Sequence, residues 1–207
     1  MLVIVISGSP GTGKTVISKI LKDKLNSKFN TKLINLSEFA IKNNLIINYD
    51  KDRDTHVIDE LKLKKKLKKV LKKLKKEREN KVMMTIIESH FSELVPKKYI
   101  NFAFVLRCDP EILYKRLERR GYKKQKILEN VQSEILGTCT AQFLTKKRKF
   151  SLIEIDTSHL TPEEAAEKIL KIIENGKGLK IKDEFGRIDW LEKLNQEGKL
   201  EKFFDTS

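Results

Sequence analysis

Gly8-Ser9-Pro10-Gly11-Thr12-Gly13-Lys14-Thr15 decides how this chain is read. The octet has the form Gly-x-x-x-x-Gly-Lys-[Ser/Thr]. The apolar run Leu2-Val3-Ile4-Val5-Ile6 stands before it, and Val16 to Leu25 follows with helical spacing. A strand in front and a helix behind are the flanks that a phosphate-binding loop requires. Glycines let successive backbone N–H groups turn inward around phosphate oxygens, since residues with a Cβ resist the angles needed. The N-terminus of the following helix adds partial positive charge. Ser9, Pro10, Gly11, Thr12, Gly13, Lys14, Thr15 and Val16 are therefore the expected contacts for a nucleoside triphosphate such as ATP. Lys14 is expected to bridge the β- and γ-phosphates, and Thr15 to place its hydroxyl on Mg²⁺.

Working outward, five short runs rich in apolar and β-branched residues read as strands: 2–7, 32–36, 82–88, 102–106 and 151–156. Helical periodicity fills the stretches between them. This alternation predicts a five-stranded parallel sheet with helices on both faces, a three-layer α/β sandwich whose ligand site lies at the carboxyl ends of the strands. Val82-Met83-Met84-Thr85-Ile86-Ile87-Glu88 ends in an acid, so Glu88 is the candidate metal-side carboxylate beside Thr15. The alternative is a strand-end carboxylate that only caps backbone N–H groups. His90 lies two residues on and reads as either structural or part of the site.

The chain has 207 residues and a net charge of +15, with 39% hydrophobic and 35% charged residues. That composition fits one packed domain with a small extension. The excess charge is local. Residues 62 to 81 hold twelve basic and two acidic side chains, so this segment carries +10 of the +15. Leu61, Leu67, Val70, Leu71 and Leu74 recur there at helical spacing, which predicts a basic amphipathic helix over 57–79 with Leu63 off its apolar stripe. Such a surface favours polyanionic partners. No apolar run approaches the roughly 20 residues that span a bilayer, and the opening strand lacks a basic leader. A cytoplasmic protein without a membrane segment is expected. Cys108 and Cys139 lie far apart without metal-ligand spacing, so reduced thiols are expected.

Thr161-Pro162-Glu163-Glu164 combines an N-cap, a proline at the first helical position and early acids, so a helix should run to about Glu174. Residues 176–207 form an extension in which Ile188, Leu191, Leu194, Leu200, Phe203 and Phe204 line up with Trp190. This tail either docks on its own core or meets a partner. Arg116 and Arg120 are four apart on a predicted helix and share one face, beside Arg119. Planar guanidinium groups suit phosphate contacts and stacking on bases; a solvated basic face is the alternative. Asn80-Lys81-Val82-Met83 lacks the Asp of a guanine-reading Asn-Lys-x-Asp, which speaks against a GTPase.

From Val3 to about Ile173 the chain resembles the adenylate kinase isoenzyme 6 family of archaea and eukaryotes. The resemblance rests on the phosphate loop, on Glu88-Ser89-His90 and on Val105-Leu106-Arg107-Cys108-Asp109. Its most specific run is Leu113-Tyr114-Lys115-Arg116-Leu117-Glu118-Arg119-Arg120-Gly121-Tyr122, followed by Asn130-Val131-Gln132-Ser133-Glu134-Ile135. It implies a P-loop NTPase fold of nucleoside monophosphate kinase type over 1–175, with an acceptor-nucleotide region near 37–60 and a short lid near 117–130. It also implies Mg²⁺-dependent phosphoryl exchange, ATP plus AMP giving two ADP, often with ATP hydrolysis. Lys14, Arg116 and Arg120 become the catalytic set, with Arg116 on the ATP base and Arg120 on phosphate.

Asn35-Leu36-Ser37-Glu38-Phe39-Ala40 looks like the stretch that opens the acceptor site, so Ser37, Glu38 and His90 are acceptor candidates. Two positions depart from the family pattern. Glu88 stands where Asp is common. Ile41 stands where an acceptor-phosphate arginine is expected, which leaves Lys42 and Arg53 as its replacements. Eukaryotic members of the resembled family assist maturation of the small ribosomal subunit. The resemblance therefore carries a second reading, an ATPase-type assembly factor with a small-subunit ribosomal protein and rRNA as partners. The sequence assigns no oligomeric state.

Overall fold

The structure, a computed structural model, describes residues 1–51, 55–76, 83–144, 148–176 and 182–204. Strand β1 (Leu2–Gly8) feeds the phosphate loop and helix α1 (Lys14–Asn26). Then come β2 (Asn30–Asn35), α2 (Leu36–Lys42), β3 (Ile46–Asp50), β4 (Thr55–Ile58) and α3 (Glu60–Lys76). The middle of the chain holds β5 (Met83–Glu88), β6 (Phe102–Arg107), α4 (Pro110–Glu118), α5 (Lys124–Ile135) and α6 (Thr138–Ala141). It closes with β7 (Ser151–Asp156), α7 (Pro162–Gly176), α8 (Trp190–Gln196) and α9 (Glu201–Phe204).

The five expected strands form one parallel sheet in the order β2-β5-β1-β6-β7. Because β1 is flanked on both sides, its residues alternate between two cores. Ile4 and Ile6 pack with Ile17, Leu21 and Leu25 of α1 and with Ala166, Ile169 and Ile173 of α7. Val3 and Val5 face the other way, onto Leu67 and Leu71 of α3 and onto Phe143 and Phe150. Helices thus cover both faces, as the β/α alternation predicts. Each fully buried leucine or isoleucine in these layers contributes about 1.5–3 kcal/mol. The Thr161 cap is a reciprocal box: Thr161 Oγ1 accepts from the Glu164 N–H at 3.2 Å, and Glu164 Oε2 accepts from the Thr161 N–H at 2.8 Å.

The lysine-rich helix corrects the sequence reading in two ways. It begins at Glu60 rather than 57, because Thr55–Ile58 pairs as β4 with the antiparallel β3, a two-stranded sheet that the sequence reading did not anticipate. Asp59 caps it, accepting from the Lys62 N–H at 2.9 Å. Its buried stripe is Leu63, Leu67, Leu71 and Leu74, while Leu61 is 74% exposed. Leu61 precedes Leu63 by two residues, about 200° around the helix, so only one of the two can share the stripe. Spacings of four, four and three select Leu63. Residues 77–79 of the expected helix and Val82 of the expected strand lie outside the described residues.

The extension docks on its own chain. Trp190, Leu194 and Phe203 are buried against Leu113, Leu117, Ile127, Val131 and Ile135 of α4 and α5, whereas Leu191 and Phe204 stay exposed. Before reaching α8, Glu184 pairs with the edge of β7: its N–H donates to the Leu152 carbonyl at 3.0 Å, and its carbonyl accepts from the Glu154 N–H at 2.7 Å. This covers an edge that would otherwise expose unpaired backbone groups. Cys108 and Cys139 are free and buried. Among the described residues, no helix is long and apolar enough to cross a membrane.

Candidate active site

The site opens where β1 ends. Gly8 sits at φ +141°, and a Cβ there would meet the Leu106 carbonyl oxygen at 2.5 Å, so the close approach of β1 to β6 admits only glycine. Gly13 adopts φ 96° as the residue preceding α1, which starts the helix with its N–H groups facing the loop. Within the loop the Ser9 carbonyl accepts from Lys14 Nζ at 2.9 Å and from Thr12 Oγ1 at 2.9 Å. The ammonium of Lys14 is therefore held over the loop by a carbonyl that a phosphate oxygen would replace. Burial pushes its pKa down, and the carboxylates of Glu88 and Glu134 work against that shift.

At the end of β5, Glu88 is buried and holds two groups. Oε1 accepts from Thr15 Oγ1 at 2.6 Å, and Oε2 accepts from Asn35 Nδ2 at 3.2 Å. A hydroxyl and a carboxylate side by side are hard oxygen donors of the kind that Mg²⁺ accepts when phosphates and water supply its other ligands. Among the described residues no cluster of three or more His, Cys, Asp or Glu could hold a metal ion by itself. The donor set thus fits an ion that arrives with its nucleotide.

Lys14, Thr15, Glu88 and their neighbours line a cavity of about 240 Å³ together with Pro10, Gly11, Gly13, Val16, Asn35, Ser37, His90, Arg120 and Tyr122. Arg120 enters because α4 ends in a turn: Gly121, at φ +74°, donates its N–H to the Glu118 carbonyl at 2.8 Å, and Tyr122 donates to Leu117 at 3.3 Å. Burial, with the Lys14 charge second, pushes the His90 imidazole down to about 4, so the ring is neutral at pH 7.

Several expected site residues stand elsewhere. Arg116 Nη2 donates to the carbonyls of Thr157 at 2.9 Å and Ser158 at 3.1 Å, so its guanidinium lies along the loop after β7 rather than in the cavity. That same loop touches the phosphate loop, since Thr157 Oγ1 donates to the Thr12 carbonyl at 3.1 Å. Ser9 and Thr12 are buried beneath the loop surface, and neither Glu38 nor the exposed Lys42 lines the cavity. Arg53 lies outside the described residues. Conversely, Asn35, Tyr122 and Glu134 have site contacts that sequence reasoning did not assign. Glu134 carried a usable signal. It is an acid on the same face of α5 as Ile127, Val131 and Ile135, which are all buried, so a polar partner had to exist inside.

The AAA domain family matches residues 4–137. A protein of Methanocaldococcus jannaschii named "Putative adenylate kinase" is 40% identical over 92% of this chain and 93% of its own length. One of Pyrococcus abyssi with the same name is 33% identical over 92% of each. The chain belongs to the P-loop nucleoside monophosphate kinase family. Among solved structures, thymidylate kinase from Candida albicans superposes with a TM-score of 0.58 at 15% identity, covering 88% of this chain and 96% of its own. Shikimate kinase from Acinetobacter baumannii gives 0.53 at 14%, covering 86% and 95%. At such identities these two show an α/β P-loop fold and nothing of this chain's substrates.

Proposed function

We propose that the protein is a Mg²⁺-dependent adenylate kinase of the isoenzyme 6 type that transfers the γ-phosphoryl group of ATP to AMP in the cytoplasm. One observation carries this reading: a single cavity joins the phosphate-loop pair Lys14 and Thr15 to Asn35 and Ser37 of the acceptor stretch, with Arg120 in its lining. A donor phosphate on the loop would face an acceptor held by the second group. In this reading residues 1–175 are the kinase domain, with the acceptor region at 37–60 and the lid at 117–130, and residues 176–207 are an extension.

Transfer forms a bond from an AMP phosphate oxygen to the γ-phosphorus and breaks its bond to the β–γ bridging oxygen, leaving two ADP. The attacking oxygen is already ionised, so no general base is needed, and neutral His90 has no proton to remove. Lys14 leaves the Ser9 carbonyl for the phosphate oxygens, where it offsets the charge that gathers in the transition state. Thr15 and Glu88 would hold Mg²⁺, which when bound with ATP neutralises phosphate charge. Arg120, next to the turn at Gly121, adds a guanidinium from the side that must close to exclude water. Arg116, held by the Thr157 and Ser158 carbonyls outside the cavity, is in this reading the residue on which the ATP base stacks.

The test is product analysis from ATP and Mg²⁺ with each nucleoside monophosphate and with none. Two ADP formed only with AMP is the expected result. ADP formation unchanged by AMP would sink the kinase reading in favour of an ATPase.

The lysine face of α3 favours an additional role as an assembly factor on a ribosomal particle, with rRNA and a small-subunit ribosomal protein as partners. All ten lysines between Glu60 and Lys76 are exposed, and none lines the cavity. A polyanion bound there would leave the nucleotide cleft accessible.

A further inference from the structure

Glu134 stands at a junction that phosphoryl transfer does not require. Its carboxylate is 1% exposed and gathers partners from distant parts of the chain. Oε2 accepts from Ser9 Oγ of the phosphate loop at 2.6 Å. Oε1 accepts from Arg107 Nε at 2.8 Å, from the Cys108 N–H at 3.1 Å and from Trp190 Nε1 at 3.3 Å. Trp190 begins α8 of the extension and is the only tryptophan in the chain. Arg107 strengthens the same link. It donates to the Ile188 carbonyl at 3.3 Å and pairs with Glu154, whose other oxygen accepts from the Gly186 N–H at 2.7 Å. Three points of the extension therefore hang on a buried network whose far end is Ser9.

Ser9 is held from the other side as well, because its carbonyl accepts from Lys14 Nζ. A triphosphate that draws Lys14 onto its own oxygens removes that bond. From Lys14 to the Trp190 indole runs a path of three hydrogen bonds, Lys14 to Ser9, Ser9 to Glu134 and Glu134 to Trp190. Such bonds polarise one another in a low-dielectric interior, and a buried carboxylate cannot release a donor without loss. The extension also clasps the helix pair that leads to Arg120. Lys193 pairs with Asp109 at 2.6 Å, Lys199 and Lys202 pair with Glu111 at 3.0 and 2.9 Å, and Gln132 Nε2 donates to the Phe203 carbonyl at 2.7 Å.

We propose that Glu134 is a positioning residue that couples occupancy of the phosphate loop to the docking of the C-terminal extension through Ser9 and Trp190. The proposal rests on the reading that the loop takes a nucleoside triphosphate. Coupling of this kind is reciprocal: what ATP does to the extension, the extension does to ATP.

Indole emission depends on the polarity and hydrogen bonding around the ring, so the single tryptophan is a built-in reporter. In the full-length protein, Trp190 emission is followed while ATP is added with Mg²⁺, and bound ATP is measured independently by equilibrium dialysis. Emission should change with the midpoint that dialysis gives. Glu134→Gln also strips a charge from buried Arg107 and can unfold the chain, so two milder variants carry the test. Ser9→Ala should lose most of the emission change at ATP concentrations that dialysis shows to fill its site. Trp190→Phe keeps an apolar aromatic ring, smaller than the indole, and loses the N–H, and should raise the ATP KM by roughly twofold to tenfold with a smaller effect on kcat. Unchanged emission on a filled site, full amplitude in Ser9→Ala, or an unaltered KM in Trp190→Phe would each overturn the coupling. If dialysis finds no ATP on the unaltered protein, the triphosphate reading itself falls, and the coupling falls with it.

Discussion

Thr15 Oγ1 donates to Glu88 Oε1 at 2.6 Å, joining the first turn of α1 to the end of β5, two elements 73 residues apart in sequence. Register fixes the meeting. Ile6 of β1 lies opposite Glu88 of β5, so the acid is carried up to the level at which β1 passes into the phosphate loop. Asn35, paired with Glu88 across β2 and β5, holds the other oxygen.

Glu88→Gln keeps the shape of this pair and removes the anion. Half-maximal activity should then require roughly tenfold more Mg²⁺. Metal titrations that superimpose on those of the unaltered protein would reduce Glu88 to a cap for Thr15 and Asn35.

Lys14→Ala should lower turnover by at least about 10³-fold, because it removes a buried cation from the side on which phosphate charge gathers. The measurement is steady-state kcat on protein whose melting temperature shows it folded. Near-normal turnover would remove the loop from the mechanism.

Arg120 lines the cavity, whereas Arg116 is anchored on the carbonyls of Thr157 and Ser158. Arg120→Ala should therefore depress kcat more than it raises the ATP KM, and Arg116→Ala should chiefly raise that KM. Both constants measured for both variants check the assignment, and the opposite pattern would exchange the two roles.

Hydrogen bonds from Lys202 and Lys199 hold the Glu111 carboxyl down at about 2, against an ordinary value of 4.5. Folding thus favours its ionised form. The resulting stabilisation of the docked extension is fully present above about pH 4.5 and is lost as the pH falls towards 2. Trp190 emission should report that loss in this window, and Glu111→Gln should flatten it. An acid limb of the same size in the variant would place the transition on other groups.

The ten lysines of α3 surround a buried leucine stripe, so their charges crowd the solvent side. Changing Lys65, Lys68, Lys69 and Lys72 to Gln should weaken binding to RNA and flatten its salt dependence, by a log–log slope of about 0.7 to 0.9 for each phosphate that is no longer neutralised. The ATP KM should stay within about twofold, as the leucines still pack. Affinity and slope equal to those of the unaltered protein would leave α3 as a solvated face.

The phosphate loop, the five parallel strands and the candidates Lys14, Thr15 and Glu88 were legible because each rests on local chemistry. Glycines at a turn, a lysine opening a helix and runs of β-branched residues act over a few positions. The pair β3 and β4 was not legible, because its strands are short and largely exposed, with only two adjacent apolar residues in each. The stripe of α3 was misassigned for a different reason. A helix started at 57 takes in Leu61, although the spacings of four, four and three through Leu67, Leu71 and Leu74 belong to Leu63; β4 takes up the residues before Asp59 and leaves Leu61 on the exposed side.

The sequence by itself determined that a strand, a phosphate loop and a helix follow one another here, that the sheet is parallel, and that positive charge gathers on one helix. Backbone sterics and hydrophobic spacing act along the chain, so they can be read along it. Only the tertiary structure decided that Arg120 rather than Arg116 reaches the cavity, that Asn35 shares Glu88 with Thr15, and that Glu134 joins Ser9 to Trp190. Those relationships depend on strand register and on which buried polar atoms find partners. They arise between residues as far as 125 positions apart, at distances that no local pattern encodes.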